Sequence, residues 1–270
     1  MLWSLFSFAA KQGENFYHHD YAEAEARAAH RRYTAIVSSE EYKKALQNAG
    51  GSGRIKEDKI LHIFSPNSSY KDNDGNFDIQ KVIADLEEKI ETSVSPKCAS
   101  FLRTVLQSVE FVETDREDIV FAYDPSDDTV KYNKNHPAFG EIDFITVLIH
   151  ELSHRIDFLS VQSWNEKEFS TAISGMQAVM DNSPATFTDY CFKHDKDGYL
   201  SDILDAGCFG KHDFPFGHSS DYWKDSGNQW REVFANFFSL EAIGDTEKLS
   251  FLEEWFPEIM KAYRNLDFSI

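Results

Sequence analysis

The stretch Asp143-Phe-Ile-Thr-Val-Leu-Ile-His-Glu-Leu-Ser-His-Arg-Ile-Asp-Phe-Leu159 limits, more than any other, what this chain can fold into. Apolar residues at Val147, Leu148, Leu152, Ile156 and Leu159 recur at helical spacing and predict a buried helix of about five turns. One flank of that helix carries His150, Glu151 and His154. Histidines four residues apart leave the same face one turn apart and can reach one metal ion. Glu151 lies about 100° round from His150, too far to be a third ligand and close enough to touch a water on that ion. The plainer alternative is a core helix whose two histidines hydrogen-bond internally. A metal is the stronger expectation, because two imidazoles and a carboxylate in an apolar run are costly to bury without a partner.

A chain of 270 residues can bury a sizeable core and suggests one large domain or two modest ones. The formal charge of −19 argues against nucleic-acid and anionic-membrane partners, which such a surface repels. A neutral or basic peptide fits better. Three widely spaced cysteines, Cys98, Cys191 and Cys208, contain no CxxC pair, so neither a disulfide framework nor a thiolate zinc ribbon is indicated and a reducing compartment is expected. The apolar start, residues 1–10, lacks a basic n-region and is too short to span a bilayer; it reads as a packed or frayed helix rather than a secretion signal.

Helical spacing is expected from Tyr21 to about Asn48, followed by a linker at Gly50-Gly51-Ser52-Gly53, which separates an N-terminal helical segment (1–53) from a main domain (54–270). Lys59 to Phe64 reads as a strand and Ser65 to Phe77 as loop. Ile79 to Ile90 and Lys97 to Val109 return to helix. Three short strands are predicted at Val109–Glu113, Asp118–Tyr123 and Thr129–Asn133, so a small sheet precedes the motif helix. After it, Glu166 to Met180 and Gln229 to Leu240 read as helices and Leu200 to Ala206 as a further turn or two, with loop over Gly207 to Gly227. Thr246 to Leu266 reads as an amphipathic helix interrupted at Pro257.

A zinc ion that performs chemistry takes three protein ligands and leaves one position to water, so the histidines need a partner. Glu232 is the leading candidate, the only acid in the aromatic helix Gln229-Trp-Arg-Glu-Val-Phe-Ala-Asn-Phe-Phe-Ser239. Its rival role is a salt bridge to Arg231, although adjacent helical residues do not face each other. Asp157, one turn past His154, and Asn236, one turn past Glu232, read as supports for ligands or for local structure. Tyr222 or His218, in Phe216-Gly-His-Ser-Ser-Asp-Tyr-Trp223, can aim a donor at a developing oxyanion or simply pack. Cys208 and His212 have C-x3-H spacing that no further pair completes.

Together His150-Glu-Leu-Ser-His154, Gly217-His-Ser-Ser-Asp-Tyr-Trp223 and Glu232-Val-Phe-Ala-Asn-Phe-Phe238 resemble zincin-type peptidase domains of the gluzincin kind. The C-terminal half looks like the metallopeptidase-like domain of minor head proteins from phages and prophages, itself similar to the catalytic domain of anthrax lethal factor. The likeness covers about residues 118 to 266. It implies an α+β, mostly helical zincin-like fold with a small mixed sheet packed on the HExxH helix. It further implies a Zn2+-dependent endopeptidase with His150, His154 and Glu232 as ligands, Glu151 as general base and Tyr222 beside the oxyanion. In domains of this plan an edge strand next to the motif helix pairs with extended substrate, and Thr129–Asn133 is the nearest candidate. The implied partners are a peptide or protein substrate and phage head proteins, in the bacterial host cytoplasm or the virion. A catalytically silent structural or adaptor protein and a toxin-like effector peptidase are the competing readings.

Overall fold

The computed structural model describes residues 70–268, apart from 73, 75, 118, 141, 219–221 and 225. The helix expected over 21–48, the glycine linker at 50–53, the strand over 59–64 and the apolar start lie outside these residues.

The architecture is α+β, predominantly helical, with a three-stranded mixed sheet. Helices α1 (Ile79–Thr92) and α2 (Pro96–Leu106) lead into β1 (Glu110–Glu113), β2 (Phe121–Asp124) and β3 (Thr129–Tyr132). The motif helix, α3, runs Phe144–Ile156. It is followed by α4 (Lys167–Asn182), α5 (Pro184–His194), α6 (Tyr199–Cys208), α7 (Ser226–Ile243), α8 (Thr246–Trp255) and α9 (Pro257–Arg264). Helix α5 has no counterpart in the sequence expectations; Pro184 opens it at a position where a missing N–H costs nothing. The break at Pro257 separates α8 from α9 as expected. No helix among the described residues is long and apolar enough to cross a membrane.

Helix α3 lies at the centre, packed against α2, α7 and β2. Asp143 caps its start by accepting from the N–H groups of Ile145 and Thr146 at 3.1 and 3.4 Å. Its first turn sits in an aromatic box: Phe139 lies 4.8 Å from Phe144 and 4.7 Å from Phe77 between ring centres, and stacks on Phe121 at 5.6 Å. Each buried ring contributes roughly 1.5–3 kcal/mol, which fixes the helix to the sheet. Helix α3 is shorter than its periodicity suggests. After Ile156 the chain widens into a π-turn over Asp157–Val161, because the Asp157 carboxylate accepts from the Ser163 N–H (2.8 Å) and hydroxyl (2.7 Å) and draws the chain round. Leu159, expected in the buried stripe, is 48% exposed as a result.

The strand order is β1-β3-β2, with β1 parallel and β2 antiparallel to β3. This corrects the expectation that Thr129–Asn133 is an edge strand. The β2–β3 hairpin folds β3 back on β2, and β1 then takes its other side, so β3 is central with Thr129, Val130 and Tyr132 buried. Among the described residues, the edge beside the motif helix is β2. Arg155, buried on α3, clamps the hairpin there: its Nε and Nη2 donate to Asp128 at 2.7 and 2.6 Å, and Nη1 reaches Ser108 Oγ at 2.8 Å and the Val105 carbonyl.

Candidate metal centre

The four-residue spacing on α3 stacks His150 and His154 on one face, with their Nε2 atoms 3.0 Å apart. Helix α7 crosses that face and brings in Glu232, buried, whose Oε2 lies 3.3 Å from His150 Nε2 and 3.4 Å from His154 Nε2. Ligand bonds of about 2.0–2.1 Å at tetrahedral angles hold donor atoms about 3.3–3.4 Å apart. The three separations sit at or just under that value. Glu232 Oε2 and His150 Nδ1 are buried, with no hydrogen-bond partner among the described residues. An orphaned carboxylate oxygen facing two imidazole nitrogens is a donor set that suits zinc or a similar divalent ion. Arg231 does not compete for Glu232; its guanidinium lies over the Trp164 ring, 5.0 Å from the centre.

The electrostatics follow from burial and proximity. Burial disfavours the imidazolium of His154, yet the Glu232 charge outweighs it and raises that group to about 9. Burial opposes ionisation of Glu232 too, and the facing imidazoles overcome it and hold its carboxyl well below the usual range. Glu151 behaves differently. Burial dominates there and raises its carboxyl, against the pull of the two histidines. Its Oε2 accepts from the Tyr123 N–H at 2.7 Å, a group on the side of β2 that faces away from β3. The Glu151 carboxylate thus ties the motif helix to strand β2, the edge of the sheet among the described residues.

The loop before α7 supplies the opposite wall. The Tyr222 hydroxyl donates to Glu232 Oε1 at 2.5 Å, and its ring stacks on His218, with 3.8 Å between centres. Both oxyanion-side candidates therefore reach the cluster. Gly217 makes this possible: with φ of 146° it runs so close to Asp205 that a Cβ would lie 2.5 Å from Oδ2.

The remaining candidates take other roles. Asp157 spends both oxygens on Ser163, closing the π-turn. Asn236 Nδ2 donates to the Glu232 carbonyl at 2.8 Å and to Asp202 Oδ2 at 2.7 Å, so it anchors a different acid from those foreseen. Cys208 Sγ lies 3.4 Å from the Asp205 carbonyl while the His212 imidazole pairs with Asp181 at 3.1 Å, so the C-x3-H side chains do not form a joint ligand pair. Sequence reasoning missed Asp202, on α6, which joins Glu232 and His218 in a second group of possible ligands. The available signal was an acid inside the apolar run Tyr199-Leu-Ser-Asp-Ile-Leu204. No protein-family model, curated protein or solved structure matches the chain, so its geometry alone carries the functional reading.

Proposed function

We propose that the chain is a zinc-dependent endopeptidase with a zincin-like arrangement, in which His150, His154 and Glu232 hold the ion. The observation that supports this most is the tight triangle of two imidazole nitrogens and an orphaned carboxylate oxygen, 3.0–3.4 Å on each side. Bound zinc would lower the pKa of a water to about 7 and polarise a substrate carbonyl.

The chain's own residues do the rest. Glu151 takes the proton from the attacking water and later returns it to the amine that leaves, so hydrolysis of one peptide bond consumes one water and leaves Glu151 as it began. Its raised carboxyl suits that exchange, since a base poised nearer neutrality both accepts and releases a proton readily. The Tyr222 hydroxyl leaves its hydrogen bond to Glu232 Oε1 to stabilise the negative oxygen that develops on the attacked carbonyl, a role supported by its contact with the cluster and by His218 stacked against its ring. Strand β2, the edge beside the motif helix among the described residues, replaces β3 as the strand along which an extended peptide can lie.

Incubation of the zinc-loaded protein with a peptide library, with and without chelator, tests the proposal. Cleavage that chelation stops and zinc restores supports it; an uncut library under zinc-replete conditions argues for a structural metal site instead.

A further inference from the structure

Glu232 presents its two carboxylate oxygens to different neighbours. Oε2 faces the His150–His154 pair, whereas Oε1 accepts from Tyr222 and lies 3.8 Å from His218 Nε2. On that second side stands Asp202, buried on α6, with Oδ1 3.6 Å from the same His218 nitrogen. Potential ligand atoms of Asp202, His218 and Glu232 all fall within 4.8 Å of one another.

Asp202 is held by one oxygen only. Asn236 fixes its Oδ2 at 2.7 Å, which orients the carboxyl group, while Oδ1 is buried with no hydrogen-bond partner among the described residues. A buried carboxylate oxygen left in this state costs several kcal/mol unless a cation or proton satisfies it. Among the described residues, the ion pairs of Asp202 and Glu232 are with imidazoles alone. A third acid, Asp205, is buried close by with its Oδ2 on the Trp223 indole N–H at 2.9 Å, adding negative charge to the same region. Two carboxylate oxygens and an imidazole nitrogen form a donor set for a divalent transition ion, and a carboxylate shared between two ions is how centres with metals about 3.5–4 Å apart are built.

We propose that the protein binds a second divalent cation of the zinc class, held by Asp202, His218 and Glu232, with Glu232 bridging it to the ion held by His150 and His154. The inference rests on the zinc reading of the first site and extends it to a two-metal centre. Asn236 is then a positioning residue: it turns Asp202 so that Oδ1 faces the second ion.

The test is metal counting on the full chain, stripped with chelator, dialysed against excess Zn2+ and analysed by mass spectrometry. The expected result is two equivalents in the wild type and one in both Asp202→Asn and His218→Gln. Two variants are used because Asp202 is buried and His218 lies in a loop; circular dichroism identifies any variant that fails to fold. A Co2+-loaded sample should show magnetically coupled ions in the wild type and an uncoupled spectrum in either variant. One equivalent in the wild type overturns this inference and leaves the first site intact. No bound zinc overturns both. Two equivalents that persist in both variants place the second ion elsewhere and also overturn it.

Discussion

The Tyr123 N–H donates to Glu151 Oε2 at 2.7 Å, joining strand β2 to the carboxylate next to His150 on the motif helix. A glutamine at position 151 keeps an oxygen that accepts this bond and loses the capacity to take a proton. Glu151→Gln is expected to bind zinc like the wild type, to melt at the same or a higher temperature, and to lose roughly 10²–10⁴-fold in peptide cleavage. Cleavage within a few-fold of wild type would remove Glu151 from the chemistry.

The clamp between α3 and the hairpin should be worth measuring separately. Asp128→Ala strands the buried Arg155 guanidinium, which is 3% exposed on its side chain whereas Asp128 is 44% exposed. Removing one member of a buried pair costs about 3–5 kcal/mol, and the solvated acid together with the Ser108 contact reduces that to about 2–3 kcal/mol here. Urea unfolding gives the number. A loss below about 0.5 kcal/mol would mean that the pair contributes only as a surface ion pair does.

Position 217 tolerates no side chain. Gly217→Ala places a Cβ 2.5 Å from Asp205 Oδ2 at a φ of 146°, a conformation that L residues rarely adopt. The expected cost is about 2–3 kcal/mol, with the loop carrying His218 and Tyr222 displaced from Glu232. Unchanged stability would contradict the close approach.

Burial raises the Asp157 carboxyl from its ordinary 3.8 to about 6. The folded chain therefore holds this proton more tightly than the unfolded chain, so the stability it contributes is complete below about pH 4 and is lost as pH rises through 6. Asp157→Asn stays neutral and can still accept from the Ser163 N–H. Relative to wild type, the metal-free variant should gain on the order of 3 kcal/mol between pH 4 and pH 7. Urea midpoints measured across that window check it; a constant offset between the two proteins would contradict the shift.

Much of this architecture is legible in local pattern, and the exceptions share a cause. Val147, Leu148, Leu152 and Ile156 mark α3 by spacing, and Glu232 stands out as an acid that an aromatic helix must account for. The end of α3 is not legible, since it depends on Asp157 reaching Ser163, six residues on. Strand order is hidden for the same reason: nothing within Thr129–Tyr132 announces that β1 will pair with it in parallel, and a central strand of four residues reads like an edge one. Asp202 carries the same signal as Glu232, but Asp197 and Asp205 on either side make an acid there look ordinary until Asn236 and His218 arrive from other segments.

The proposed binding of one ion by His150, His154 and Glu232, whose donor atoms lie within 3.4 Å of one another, underlies every functional statement above. Calorimetric titration of the chelator-stripped full chain with Zn2+ measures it most directly, through the affinity of the first equivalent in wild type, His150→Ala, His154→Ala and Glu232→Gln. Each substitution removes or weakens one of the three proposed ligands and is expected to reduce that affinity by at least about 100-fold, beyond what loss of a supporting residue does. First-equivalent affinities unchanged in all three variants would contradict the account.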